Sequence, residues 1–404
     1  MTAPSWPTAR QPSARQPSAR RPWPRHPWTR RLFVAALAPL LALTPSLASA
    51  QDSWRAVPDL PTPRYGLAGT SAPCPKDVEG LKGTCVYAIG GQNDSPALDT
   101  VEAYSPATNT WRALPALPTA RYALRATTAP CPKDVEGLEG TCVYAIGGFA
   151  DSADSADVGT VEAYSPATNT WRALPALPTA RSFAAAATAP CPKAVDGLKG
   201  SSCVYAVGGA YSDTVEAYSP VTNTWRTVPS LGTPRDAPAA ATASCPEGVD
   251  GLKGTCLYAI GGFNPTDSIL GTVEAYSPAT NTWRTVASLG SPRVALGGTA
   301  APCPGSASRG DRGPKQSCVY AIAGFTTFTE FATGSAEVLN PAENTWNALP
   351  ALATPRFELG AATAPCPEDL RSPTQTQTCA YAFGGIGDPP FPTLGSVEAL
   401  PVGG

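Results

Sequence analysis

The sequence predicts an all-β fold: six units of four short strands each, arranged in a closed ring. Three observations predict it. Tryptophan recurs at 54, 111, 171, 225, 283 and 346, at intervals of 57, 60, 54, 58 and 63 residues. From the second Trp onward each closes a copy of one phrase. Thr-Val-Glu-Ala-Tyr-Ser-Pro-Ala-Thr-Asn-Thr-Trp stands at 100–111, 160–171 and 272–283, nearly unchanged at 214–225, and decayed between Ser335 and Trp346. Finally, 46 Pro and 37 Gly in 404 residues leave no segment with a helical period sustained over three turns. Self-similarity at a fixed period is the signature of a repeat architecture. Four strands per unit at this spacing make each unit one blade of a β-propeller, whereas a leucine-rich or ankyrin solenoid would need about half the period.

The first 50 residues stand apart. Residues 1–31 are rich in Pro, Arg and Ser, with QPSAR repeated at 11–15 and 16–20, a composition that cannot bury a core. An apolar run from Leu32 to Leu43 follows, and then Ala48-Ser49-Ala50. A basic region, a short apolar stretch and a small-residue cleavage site form a secretory signal peptide. We therefore expect 1–50 to be a disordered n-region and signal peptide, cleaved near Ala50, with 51–404 as the propeller. Twelve apolar residues are too few to span a bilayer, so no stable membrane insertion is expected after cleavage. Thr29-Arg30-Arg31-Leu32-Phe33 fits either a twin-arginine export signal or an ordinary basic n-region. The expected location is periplasmic or secreted.

Within each unit the strands follow in order. A Pro-rich link ends in Arg at 64, 121, 181, 235, 293 and 356, and an Ala/Gly-rich run after it is the first strand. Val86–Ile89 and its copies form the second, ended by diglycine at 90–91, 147–148, 208–209, 261–262 and 384–385; the fifth copy reads Ala323-Gly324. The third strand, Val101–Tyr104 and its copies, stops at Ser-Pro, and the fourth holds the Trp. Trp54 precedes every diglycine, while the last unit, 356–400, supplies only three strands. The N-terminal strand of the mature chain is therefore expected to complete the sixth blade, leaving no open sheet edge.

The diglycine, the Glu-x-Tyr-x-Pro phrase, the spaced Trp and the following Pro/Arg resemble the kelch repeat, in six copies over 52–400. The resemblance implies a six-bladed kelch propeller. It also implies that the inter-blade links share one rim with the loops between second and third strands.

Twelve cysteines fall as six pairs: Cys74 with Cys85, Cys131 with Cys142, Cys191 with Cys203, Cys245 with Cys256, Cys303 with Cys318, and Cys366 with Cys379. An even count, one pair per repeat and an exported chain imply disulfides, and pairing within each blade is the scheme that repeats with the unit. Metal–thiolate sites would need C-x-x-C spacing. No metal and no cofactor are expected.

Scarce residues limit the chemistry. His26 is the only histidine and Met1 the only methionine. Residues 51–404 thus lack the parts of a Ser-His-Asp triad, a Cys-His dyad or a His-ligated metal site. Galactose oxidase chemistry, on a kelch domain with copper held by His, is excluded. The leader's seven Arg removed, 22 basic residues face 31 acidic ones, a net charge of −9, which argues against nucleic acid as a partner. The expected ligand is a protein or a glycan.

Two sets of candidate residues remain. The loops after the diglycines differ most between copies and carry Gln92, Asn93, Phe149, Tyr211, Phe263, Phe325 and Phe328, aromatics and amides suited to a sugar or peptide. Strand alternation places the second and fourth residues after each repeat Arg toward the channel. These are mostly Gly or Ala, with Arg125 and Glu358 the charged exceptions. That pair could orient a carboxylate and act as general acid and base. The sequence thus reads as a secreted binding module. The alternative is a metal-independent sugar-modifying enzyme, as in the sialic acid mutarotases.

Overall fold

The computed structural model describes residues 53–403 except 94–96, 151–155, 267, 305–315, 328–330 and 372–376. The leader and Phe328 lie outside the described residues. Six four-stranded antiparallel sheets follow the six repeats. Blade 1 runs Ala68–Pro73, Thr84–Ile89, Val101–Ser105 and Thr110–Ala113. The innermost strands of blades 2 to 6 are Arg125–Pro130, Ala185–Ala189, Ala239–Ser244, Gly297–Pro302 and Gly360–Pro365. Blade 6 takes its outermost strand from the other end of the chain. Arg55–Val57 pairs with Val397–Val402, Ala56 opposite Glu398, so the ring closes as expected.

Each second strand is buried on both faces, TCVYAI in blades 1 and 2, because neighbouring blades cover both sides. This explains its continuous apolar run where a half-exposed strand would alternate. Tyrosines fill the space between blades: Tyr87 meets Tyr164 at 6.1 Å, and Tyr104 of blade 1 meets Tyr381 of blade 6 at 6.0 Å. In blades 1 to 4 the repeat Trp sits opposite a Tyr in register, as Tyr104 against Trp111, and in blade 5 Trp346 sits opposite Leu339. Its indole N–H donates to a link carbonyl of the preceding blade junction: Trp111 to Pro58 O at 2.8 Å and Trp171 to Pro115 O at 2.9 Å. Trp54 does the same across the closure, donating to Pro350 O at 2.9 Å.

The repeat Arg and Glu explain their own recurrence. All six Arg are fully buried and each pairs with the Glu of its own blade, as in Arg121–Glu162 at 2.8 Å and Arg356–Glu398 at 2.9 Å. Arg121 also donates to Gly147 O at 2.7 Å and Thr160 O at 2.8 Å. One guanidinium thus ties the link, the diglycine turn and the third strand together. Burial lowers each of these Arg pKa values and the Glu partner opposes that, as at Arg121. The diglycine is needed for a close approach. Gly90 has φ +58°, and a Cβ there would lie 2.5 Å from the Arg121 carbonyl oxygen of the next blade.

All six cysteine pairs form disulfides within their blades, as the repeat spacing implies. Cys74 bonds to Cys85 in blade 1, Cys131 to Cys142 in blade 2 and Cys191 to Cys203 in blade 3. Cys245 bonds to Cys256 in blade 4, Cys303 to Cys318 in blade 5 and Cys366 to Cys379 in blade 6. Their Cα–Cα distances run from 4.7 to 4.9 Å. In each blade the first cysteine follows the innermost strand. The second lies on the strand beside it, where Cys85, Cys203, Cys256, Cys318 and Cys379 are as deeply buried as Cys142. The loops they bound pack on the Thr-Asn-Thr turns: Thr108 donates to Gly80 O, and Arg112 donates to Glu79 O at 3.1 Å. The opposite rim carries the links and the second-to-third-strand loops, joined by paired backbone bonds such as Gln92 N–H to Tyr65 O at 2.8 Å. Among the described residues no helix is long and apolar enough to cross a membrane.

Candidate functional site: the channel mouth

The residue two past each repeat Arg does not continue the first strand. Gly66, Ala123, Phe183, Ala237, Ala295 and Glu358 all adopt left-handed backbone, with φ from +44° to +59°. Their peptide groups form a closed collar. Ala123 N–H donates to Gly66 O at 2.7 Å, Phe183 to Ala123 O at 2.9 Å, and Ala237 to Phe183 O at 3.1 Å. Ala295 then donates to Ala237 O at 3.0 Å, Glu358 to Ala295 O at 2.9 Å, and Gly66 to Glu358 O at 2.9 Å. Left-handed geometry costs a non-glycine residue about 1–2 kcal/mol, and the circle of bonds offsets it. This corrects the expectation of simple alternation from Arg onward. The strands begin two residues later, at Ala68, Arg125 and their equivalents.

The collar separates the functional candidates by depth. Glu358 belongs to it, whereas Arg125 opens the inner strand of blade 2 and so lies further down the channel. Its Nη1 donates to Leu124 O at 2.9 Å. Among the described residues no ion pair within 4.0 Å joins Arg125 to Glu358, so the two are not in contact. Around Arg125 the channel is walled by Gly and Ala together with Leu67, Pro238, Leu296 and Leu359, and narrows to a space of about 50 Å³. Below it, a cavity of about 260 Å³ is lined by hydroxyls that include Thr127, Thr188, Thr299 and Thr363. Thr127 and Thr188 meet at 3.0 Å.

At the mouth lies a pocket of about 250 Å³. Five aromatic side chains wall it: Phe183 from the collar, Phe357 beside it, and Tyr211, Phe263 and Phe325 from the variable loops. The rings meet edge to face, Tyr211 with Phe263 at 6.3 Å and Phe325 with Phe357 at 5.6 Å. Two carboxylates, Asp236 and Glu358, complete the lining. Tyr211 is 53 % exposed, open to whatever enters.

The electrostatics follow from that depth. Burial pushes the Glu358 carboxyl up to about 7, against the pull of Arg125 and with some help from Asp236. Asp236 is also raised by burial, partly offset by the backbone amides of Ala210 and Tyr211 and by Arg125. Its Oδ1 is buried without a hydrogen-bond partner. Arg125 is lowered by burial and supported by Glu358 and then Asp236. The three groups form one coupled set without direct contact.

The structure brings Tyr211, Phe263, Phe325 and Glu358 into this pocket. It places Phe149 elsewhere on the rim, ring to ring with Tyr122 at 5.1 Å and Phe183 at 6.0 Å. Gln92 and Asn93 are half-buried in the blade 1 loop. Sequence reasoning missed Asp236 and Phe357. Both directly follow a repeat Arg, a position occupied elsewhere by Tyr65, Tyr122, Ser182 and Val294. Asp236 is the one acid in that column, and that departure was the available signal.

Residues 82–118, 140–178, 201–232 and 253–290 match the Kelch motif. With six blades and four strands in each, the chain is a kelch-repeat β-propeller. It is similar to Kelch-like protein 36 of Mus musculus, 27 % identical over 209 residues that cover 49 % of this chain and 29 % of that protein. Kelch-like protein 35 of Mus musculus is 32 % identical over 162 residues, 39 % of this chain and 23 % of the relative. Kelch-like protein terF of Aspergillus terreus (strain NIH 2624 / FGSC A1156) is 25 % identical over 239 residues, 55 % and 46 % of the two. The chain thus spans less than half the length of each. The solved structure of YjhT superimposes with a TM-score of 0.52 at 14 % identity, covering 85 % of this chain and 95 % of that one. At that identity the likeness concerns the fold.

Proposed function

We propose that this propeller is an exported binding module that takes a glycan in the channel-mouth pocket. The observation that carries this reading is the pocket itself. Five aromatic walls and two carboxylates converge on about 250 Å³ at the rim where the copies of the repeat differ most. Aromatic faces stack on the apolar faces of sugar rings, and a few placed polar groups fix orientation. Six disulfides support an oxidising compartment outside the cytoplasm. The test is calorimetric titration of the oxidised protein with a panel of mono- and disaccharides. A selective hit weakened by Tyr211→Ala and Phe263→Ala supports the reading. No hit across the panel overturns it and points to a protein ligand.

One observation favours a second reading, a metal-independent sugar-modifying enzyme resembling the sialic acid mutarotases. A carboxyl held near neutrality, Glu358, can both give and take a proton at pH 7. Polarimetry of freshly dissolved sugars decides it. Accelerated mutarotation lost in Glu358→Gln would establish turnover, and an unchanged rate across the panel excludes it for those sugars.

A further inference from the structure

Charge is distributed unevenly over the two faces of the ring. All seven lysines of the chain fall between the two cysteines of a blade in sequence, and the six among the described residues lie on the face away from the pocket. The six loops between second and third strands, 92–99, 149–159, 210–213, 263–271, 325–334 and 386–395, contain nine acidic residues and no basic one. The repeat arginines on this side are each neutralised by a buried Glu. The pocket lining repeats the pattern, with Asp236 and Glu358 and no cationic side chain. Arg125 lies deeper, at the narrow waist, and offsets one of the two carboxylates.

An aromatic wall with a carboxylate floor is the arrangement that holds an ammonium group. The ring faces attract a cation through their quadrupoles within about 6 Å of the centroid. The carboxylates supply charge-assisted hydrogen bonds, and Asp236 Oδ1 is buried with no partner of its own. With Arg125 offsetting one carboxylate, a ligand carboxylate would meet net negative charge here as Glu358 ionises, and a neutral sugar would leave that charge unanswered. We propose that the mouth pocket binds a cationic glycan: an amine-bearing sugar whose protonated amine lies between Asp236, Glu358 and the faces of Tyr211, Phe263 and Phe325. The inference rests on the glycan reading above and names its ligand class. The described acids of these rim loops, Asp99, Asp157, Asp213 and Asp388, add steering, which concentrates cations at the rim and weakens with salt.

The groups facing Glu358 are Arg125, Asp236 and Tyr122. Because the Glu358 carboxyl titrates near neutrality, the pocket gains negative charge as pH rises through about 7. Affinity for a permanently charged sugar such as N,N,N-trimethylglucosaminium should therefore increase from pH 6 to pH 8.

The deciding experiment titrates the oxidised protein with three probes: the glucosamine disaccharide, its N,N′-diacetylated form and N-acetylneuraminic acid. The amine form is expected to bind about tenfold or more tightly than the acetylated form, with the advantage shrinking as NaCl is raised. Glu358→Gln should abolish the advantage while the acetylated sugar still binds. Asp236→Asn gives an independent second variant, each checked for folding by circular dichroism. Equal binding of amine and acetylated forms, or a preference for neuraminic acid, overturns the charge inference and leaves the glycan site standing. Absence of binding by all three overturns the site itself.

Discussion

Replacing Glu358 by Gln should change stability as a function of pH, with a defined sign. In the folded protein this carboxyl titrates near 7, against 4.5 for an ordinary glutamate. Below pH 4.5 the group is neutral in both states and contributes no difference. Between 4.5 and 7 the unfolded chain releases the proton while the folded one retains it, so stability falls as pH rises. Above 7 the folded protein holds a buried, poorly solvated charge and the loss is complete. Each pH unit of displacement is worth about 1.4 kcal/mol, so wild type should lose about 3 kcal/mol across this window from this one group. Gln keeps the shape and cannot ionise. The variant should therefore match wild type at pH 4 and exceed it by about 3 kcal/mol at pH 8. Over roughly 350 ordered residues, at about 2.1 cal/mol/K each, that is about 4 °C in Tm. The assay is thermal unfolding, disulfides intact, of both proteins from pH 4 to 8.5. Taking the difference between the two proteins largely removes the other titrating groups, apart from Asp236, which interacts with Glu358. Parallel curves, or a variant that is less stable at pH 8, would refute the account, because Arg125 would then outweigh burial.

Three further outcomes are expected. Trp54→Ala should cost about 3–5 kcal/mol, comparable to Trp111→Ala in the interior of the ring, since both indoles are buried and bonded alike; a silent Trp54→Ala in urea unfolding would contradict closure by the N-terminal strand. Glu162→Ala leaves Arg121 as a buried, unpaired charge and should cost about 3–5 kcal/mol, whereas replacing both by apolar residues should recover much of that loss, a contrast read from the midpoints of denaturant curves. Removing one disulfide by Cys131→Ala with Cys142→Ala should cost about 3 kcal/mol, measurable as a lowered unfolding midpoint without loss of the β-sheet circular dichroism signal.

The blade count, the closure and the disulfides were legible because repetition multiplied each signal. A Trp that appears before any diglycine has only one blade left to complete. Twelve cysteines spaced with the repeat leave one periodic pairing. The collar was not legible. Its residues include three alanines and a phenylalanine, types that carry no local signal for left-handed backbone, and the conformation is imposed by neighbouring blades through six bonds distant in sequence. Reading straight alternation through those positions turned both Glu358 and Arg125 toward the channel from strands of the same kind, whereas the turn divides them by depth. Of the loop aromatics, Tyr211, Phe263 and Phe325 reach the pocket and Phe149 does not, because Phe149 stacks between Tyr122 and Phe183. Periodicity cannot show which ring a neighbour will capture.

The collar has an electrical consequence. Its six peptide bonds point head to tail around a circle, each N–H aimed at the next carbonyl. Around a closed circle the components directed from one peptide to the next sum to zero. A helix terminus, by contrast, aligns its peptide dipoles and presents a partial charge to a ligand. Here the six collar N–H groups and the six carbonyls they meet are consumed by one another around the aperture. The sign of whatever enters is left to side chains: of the six collar positions only Phe183 and Glu358 are larger than alanine, and Asp236 stands next to the collar in the same pocket. The polarity of the mouth is therefore set by side chains, Glu358 in the collar and Asp236 beside it, and not by the backbone circle.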